Sequence, residues 1–537
     1  MSRASISTGN IHLDTNKDSS ANKDSSSSPN TPKKPAKFDD SRPMHIAIVG
    51  DFSGRASRGE CDATSLTKRK AIEVDRDNFE EVFTRLQVSL SLPVNDTPLT
   101  FGEYDDLHPD FLVEKVALFE QFRTLKRRLN KPELFEQAVN EIRQWSTQKL
   151  SLQEQAEPQA DPESSYDDAE TPEGIPMPES MLDAVLAQSL QNTDAETNAD
   201  LNTPFGSVDQ LIKDIVAPYV EAKADPRLPE MEQAVDDACA QTLRKIMHAS
   251  AFQELEANWR ALYLLIRRLE TNRNLKLFLF DISHEEMVDD LINCEEVEDS
   301  QLYRLFVDQT QIPGATPYSV LQFNVQIQDD IDDLCVASAM GDIAQASGGV
   351  AITGASETLA GCENIEEGED VDDWNYHVDD AIYGTWKAIR ASQSSAHLAL
   401  VAPHFLLRLP YGNKTSPIES IPFEELDIEA PHNFYCWGNS ATLITLLLGQ
   451  AFSQSGWSFK AGQINEVEEL PFHVYQVDGE TIAKACAEIY MRDSVADRFA
   501  EAGILSARSV KGKTSVLIPR FRSASLSGND LFEHETA

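Results

Sequence analysis

Three things are missing from this chain: an excess of basic charge, any paired-cysteine motif, and a long apolar run. Lys and Arg number 46 against 89 Asp and Glu, for a formal net charge of −43 over 537 residues. A nucleic-acid binder needs a basic face to displace counterions, so this balance argues against one. It equally disfavours adhesion to an anionic membrane. The seven cysteines, Cys61, Cys239, Cys294, Cys335, Cys362, Cys436 and Cys486, are dispersed, with no CxxC. They predict buried, reduced thiols in a reducing compartment. Nowhere do 18 consecutive apolar residues occur, so no membrane span is expected. The opening MSRASISTGNIHLDTNKDSS lacks the apolar core of a secretory signal. These absences together predict a cytoplasmic protein.

Catalytic signatures are equally scarce. GDFSGRASRG follows an apolar run, but Gly50, Gly54 and Gly59 do not have dinucleotide-loop spacing. KGKTS, at Lys511 to Ser515, has Ala507 where a phosphate loop needs its first Gly. TGASET around Ser356 lacks the closing Gly of a nucleophile elbow. The eleven His include no HExxH, and His284 sits at a helix start beside Glu285 and Glu286. Asp372, Asp373, Asp379 and Asp380 flank Trp374 and read as a solvated acidic face rather than a cation site. Trp259, Trp386, Trp437 and Trp457 read as core or interface anchors. No enzyme activity, cofactor or metal is expected.

What is present is a foldable chain with clear punctuation. Hydrophobic residues make up 41%, enough for a sizeable core. Residues 1–42 are too polar to bury anything and read as a disordered tail. A first block, 43–150, opens on the strand HIAIVG. It continues through the turn at His108-Pro109-Asp110 into one long amphipathic helix marked by Phe111, Leu112, Val116, Phe119, Phe122, Leu125 and Leu129. Phe135, Val139 and Ile142 predict a second, shorter helix. Residues 151–207 hold thirteen acidic residues and no Lys or Arg, the mark of a solvated linker. One amphipathic island interrupts it at 178–190. Met181, Leu182, Val185 and Leu186 share a face there and are candidate partner-binding residues, with packing on the chain's own domain as the alternative. The second block, 208–537, has helices over 231–270 with a break near His248. NLKLFLFDIS is a strand, and a capped helix begins at Ser283. LQFNVQI and HLALVAP are strands on either side of the helix DIDDLCVASAMGDIAQA. Strands alternating with helices predict an α/β fold, with mixed sheets flanked by helices.

The order of several unusual tokens then carries a resemblance. SMLDAVLAQSL, LExxWRxL at Leu255 to Leu262, GDI at Gly341 to Ile343, LVAPHFLLRLPYG, FEEL, CWGN and the Gly456-Trp457 pair resemble the large subunit of the type VI secretion contractile sheath, the TssC or VipB family. The resemblance spans roughly 176–510. Ala261 stands where that family usually has Gly, and His404 where it usually has Arg. The Gly pair expected near Ile464 to Leu470 is absent. The family normally continues well past AEAGILSARS, so the second block reads as C-terminally shortened. IAIVGDFSG and FGEYDDLHPDFLVEKVALFEQFRTLKRRL look like the small sheath subunit, TssB or VipA, with Leu107 and His108 filling the middle of its Asp-Asp-Phe-x-Pro pattern.

The resemblance implies a mechanical role. Its expected partners are other sheath subunits, the Hcp tube, the baseplate, and an AAA+ recycling ATPase gripping the 178–190 helix. Nucleic acid and membrane insertion are not among them. A distinct reading is an accessory protein that caps, nucleates or regulates the sheath without polymerising. A third is an enzyme whose site the sequence does not display.

Overall fold

Ile46, Ala47, Ile48 and Val49 form a run with no polar face, and such a strand is stable only when covered on both sides. Met44–Gly50 (β1) accordingly lies inside a seven-stranded sheet, with all four of those side chains fully buried. The other strands are Ile72–Val74 (β2), Leu275–Asp281 (β3), Val320–Ile327 (β4), Val350–Ala355 (β5), Leu398–Ala402 (β6) and Ile504–Ser506 (β7). Their order is β7-β6-β5-β4-β1-β3-β2. Neighbours are parallel except β2, which runs antiparallel to β3. Ile46 is registered with Leu277 on one side and Val320 on the other.

The structure, a computed structural model, describes residues 3–7, 10–14, 42–92, 97–143, 225–366, 370–426, 432–477 and 479–532. Within the polar N-terminal stretch, Arg3–Ser7 pairs with Asn10–Asp14 as a hairpin. The segment 178–190, with Met181, Leu182, Val185 and Leu186, lies outside the described residues.

The chain divides into two compact units, residues 1–107, 247–417 and 426–537, and residues 108–246 with 418–425. In the first unit, helices cover both faces of the sheet. Ser250–Arg268 (α1), His284–Ile292 (α2), Ile331–Ser347 (α3), Asp380–Ala391 (α4), Ala441–Ser455 (α5) and Asp493–Ala502 (α6) are its longer helices. Ala47, Val49, Phe280 and Leu321 face one layer, sharing a core with Met287 of α2, Met340 of α3, Trp386 of α4 and Phe499 of α6. The opposite face meets α5, which packs on β4, β5 and α1. Its sequence, ATLITLLLGQAF, is apolar nearly all round, and a helix of that kind has to be buried. The expected α/β class, with helix-flanked mixed sheets, is what forms.

Local signals behave as the chemistry predicts. Ser283 caps α2 through a capping box, accepting from Glu286 N–H at 3.2 Å while Glu286 accepts from Ser283 N–H at 3.1 Å. The predicted break near His248 falls between Met247 and Ser250.

The second unit holds Pro109–Lys115, Ala117–Leu129, helical residues 135–143 and most of Leu228–Met247. The single long helix expected after Pro109 is therefore two. Val116 leaves the helical region at φ −75°, ψ 122°, ending one helix and starting the next. A one-residue turn keeps Leu112, Val116, Phe119, Phe122, Leu125 and Leu129 all buried, so apolar spacing alone does not register it. Lys126 on the second helix pairs with Asp236 at 2.7 Å.

Candidate functional site

The loop after β1, which invites a phosphate-binding reading, is occupied by the protein's own carboxylates. Asp51 accepts N–H groups from Gly54, Arg55 and Ala56 at 2.7–2.9 Å. Asp281, at the end of β3, accepts from Phe52 N–H at 2.9 Å and Ser53 N–H at 3.0 Å. The amides that would cradle a phosphate are thus already satisfied by anions. Gly54 is required for two reasons: its φ is +78°, and a Cβ there would lie 2.4 Å from the Ser89 carbonyl oxygen. Burial, reinforced by Asp51, pushes the Asp281 carboxyl above the usual range. Helix α1 clasps the same loop, as Trp259 Nε1 donates to Phe52 O at 2.8 Å and Asn258 donates to Asp51 O at 3.1 Å.

One turn along the same helix sits a buried charge cluster. Glu256, 1% exposed, receives a two-pronged contact from Arg408, with Nε to Oε1 at 2.7 Å and Nη2 to Oε2 at 3.0 Å. Arg260 Nε donates to the same Oε1 at 2.7 Å and its Nη2 reaches Tyr411 Oη at 3.0 Å. The Arg408 guanidinium also lies 4.5 Å from the Tyr411 ring centroid. Burial alone would push the Glu256 carboxyl up; Arg408 and Arg260 more than reverse this and hold it at about 2. The cluster joins LExxWRxL to FLLRLPYG, so Glu256, Arg260, Arg408 and Tyr411 form one lock across the two segments.

A crevice of about 560 Å³ opens beyond the C-terminal ends of the parallel strands, the usual binding edge of such sheets. His404, His432, Glu488, Gln326 and Asn439 help line it. His404, the residue standing for an Arg, pairs with Glu488 at 3.3 Å. Burial disfavours its charge, but Glu488 overrides this and raises its pKa. Asn439 holds the crevice floor by donating to Val325 O at 2.7 Å. A Cβ on Gly354 would meet that Asn439 side chain at 2.7 Å, so a larger residue there would displace the Asn439 amide from Val325 O.

Other sequence candidates resolve into structural roles. Ser356 accepts from Thr358 N–H as a helix cap. Lys513 lies in the turn between Arg508–Ser509 and Val516–Leu517 and faces Glu466 at 3.4 Å. Asp379 caps α4 through Ala381 N–H. His284 pairs with Asp333 at 2.8 Å, and that hydrogen bond raises its pKa. Trp386 donates to Ala502 O, Trp437 to His432 O and Trp457 to Arg42 O. All seven cysteines are free. Four are buried as expected, whereas Cys61 is exposed and Cys294 and Cys335 are half-buried. What sequence reading missed is the grouping of Glu357, His404 and Glu488. They come from three separate loops, and no local spacing signals them.

Fold and sites define an α/β protein whose most distinctive buried polar residues lock segments of one chain together. The VipB family profile, described as a tail sheath N-terminal domain, matches residues 230–525, more than half of the chain. The VipA family profile of the type VI secretion system matches residues 35–157. The type VI secretion system sheath protein TssC1 of Pseudomonas aeruginosa is 29% identical over 279 residues, which cover 51% of this chain and 56% of that protein. The chain thus spans little more than half the length of this curated relative. It belongs to the VipB tail sheath family and carries a VipA-type segment ahead of the VipB-type one. Among the described residues, no helix is long and apolar enough to cross a membrane.

Proposed function

We propose that this chain is a self-contained building block of a type VI contractile sheath, supplying small- and large-subunit elements in one polypeptide. The blocks 43–150 and 208–537 act together, tethered by the acidic linker 151–207. Such blocks assemble with one another in the cytoplasm around an Hcp tube, on a baseplate, and contraction drives the tube outward. The role is mechanical, with no catalytic step. The observation that carries this reading is that β1, from the VipA-type segment, lies between β3 and β4 of the VipB-type segment. The linker helix 178–190, through Met181, Leu182, Val185 and Leu186, serves as the handle for the AAA+ recycling ATPase.

Electron microscopy of the purified full chain tests the proposal. Helical tubes or stacked rings are expected. Uniform monomers or small closed oligomers across concentration and salt would refute polymerisation and favour the capping or regulatory role.

A further inference from the structure

Three loops at the C-terminal edge of the sheet place one histidine and two glutamates together. Glu357 follows β5, His404 follows β6, and Glu488 lies in the segment leading into α6. One ligand-capable atom from each lies within 4.8 Å of the other two. His404 Nδ1 is 3.3 Å from Glu488 Oε1, and His432 Nε2 approaches that oxygen at 3.2 Å. Two ligands bonded to a tetrahedral ion at ~2.0–2.2 Å stand roughly 3.3–3.5 Å apart. The imidazole–carboxylate spacing is therefore one a bound ion would itself impose.

The surroundings are arranged for a cation. Glu488 is 5% exposed in its side chain, and its Oε2 accepts the His404 backbone N–H at 3.1 Å. That contact fixes the carboxylate and leaves Oε1 turned to the imidazoles, the orienting arrangement typical of metal ligands. Glu357 Oε1 is buried without a hydrogen-bond partner. Glu488 Oε1 thus meets two imidazoles, His404 and His432, and half-buried Glu357 turns its unpartnered oxygen to the same point. Lys484, the next cation along, is taken up by Glu366 at 3.0 Å. A buried carboxylate oxygen without a partner is costly unless a cation or proton is supplied.

We propose that Glu357, His404 and Glu488 bind one divalent transition-metal ion of the zinc type, with a remaining coordination position open to the crevice beside His432. An imidazole with two carboxylates suits Zn²⁺ and its neighbours rather than Mg²⁺ or Ca²⁺, which take all-oxygen sets. The ion clamps three strand-end loops. This assignment does not rest on the sheath reading, because it needs only the fold of the first unit.

The test uses the full chain stripped with a chelator, titrated with Zn²⁺ by calorimetry and with Co²⁺ by its visible ligand-field absorption. The wild type should bind one equivalent and give the intense spectrum of low coordination number. Glu357→Gln and His404→Ala should each weaken binding at least about tenfold. His404→Arg keeps an ion pair with Glu488. It should fold as the wild type does in chelator yet show no Co²⁺ spectrum and no thermal shift with Zn²⁺. Absence of saturable binding by the wild type would overturn the proposal. So would unchanged affinity in all three variants, which places the metal on other histidines.

Discussion

Replacing Glu256 by Gln keeps the side chain's shape and removes its charge. Arg408, 9% exposed, and Arg260 would then share a buried site without their carboxylate. Breaking a buried pair by neutralising one partner costs about 3–5 kcal/mol, because the remaining charge stays desolvated. The lowered pKa of Glu256 points the same way. Its pKa falls from 4.5 to about 2 on folding, worth roughly 3 kcal/mol of stability at neutral pH. A depressed carboxylate contributes stability that is fully present above its unfolded value and lost as pH falls through the folded one. The gap between wild type and Glu256→Gln should therefore be full at pH 7, narrow below about 4.5 and close near about 2. Thermal unfolding followed by circular dichroism should show a drop of roughly 4–6 °C for a unit of this size. Adding Arg408→Met to Glu256→Gln should recover part of the loss, since it removes one stranded guanidinium. A Glu256→Gln midpoint within about 1 °C of wild type at pH 7 would refute the view of this cluster as a lock.

The central features of the fold were legible because they depend on local chemistry. The all-apolar run at Ile46 to Val49 can only be a buried strand, and Ser283 with Glu286 spells a capping box. What was not legible depends on events far along the chain. Nothing around Glu256 announces Arg408, and nothing near His404 announces Glu357 or Glu488; each partner arrives by tertiary folding. The turn at Val116 escaped because a single extended residue left the apolar spacing nearly intact. Spacing argues against a nucleotide in the GDFSG loop. The physical reason, that Asp51 and Asp281 already occupy its amides, required the structure.

Burial pushes the Asp342 carboxyl up to about 6, so its ionisation opposes folding as pH rises from the ordinary carboxylate range through that value. Asp342→Asn should raise the midpoint at pH 7 and flatten the profile across that window, as measured by thermal melts. Lys513→Ala should leave any background nucleotide turnover unchanged in a phosphate-release assay, because Lys513 lies in a hairpin turn beside Glu466. Leu182→Asp with Leu186→Asp should abolish binding to the AAA+ ATPase in a pull-down while leaving the melting curve in place. A variant that melts earlier and still binds would make the segment ordinary packing. Proteolysis within 151–207 should yield fragments that co-elute on gel filtration, since β1 stays hydrogen-bonded to β3 and β4. Clean separation would contradict that sheet order.

The place of β1 also gives a physical reason for carrying both family segments on one chain. Without Met44–Gly50, β3 and β4 would each expose an unpaired parallel edge, and such edges invite pairing with foreign strands. The VipB-type segment therefore depends on the VipA-type strand to complete its sheet, rather than merely to decorate it. On separate chains, that strand has to be captured from solution. On one chain, capture is intramolecular, at an effective concentration set by the connection, and the ratio of the two segments is held at one to one. The entropy of closing a long connection grows only slowly with its length. The acidic stretch between the segments is accordingly free to be long and highly charged at little cost to the sheet.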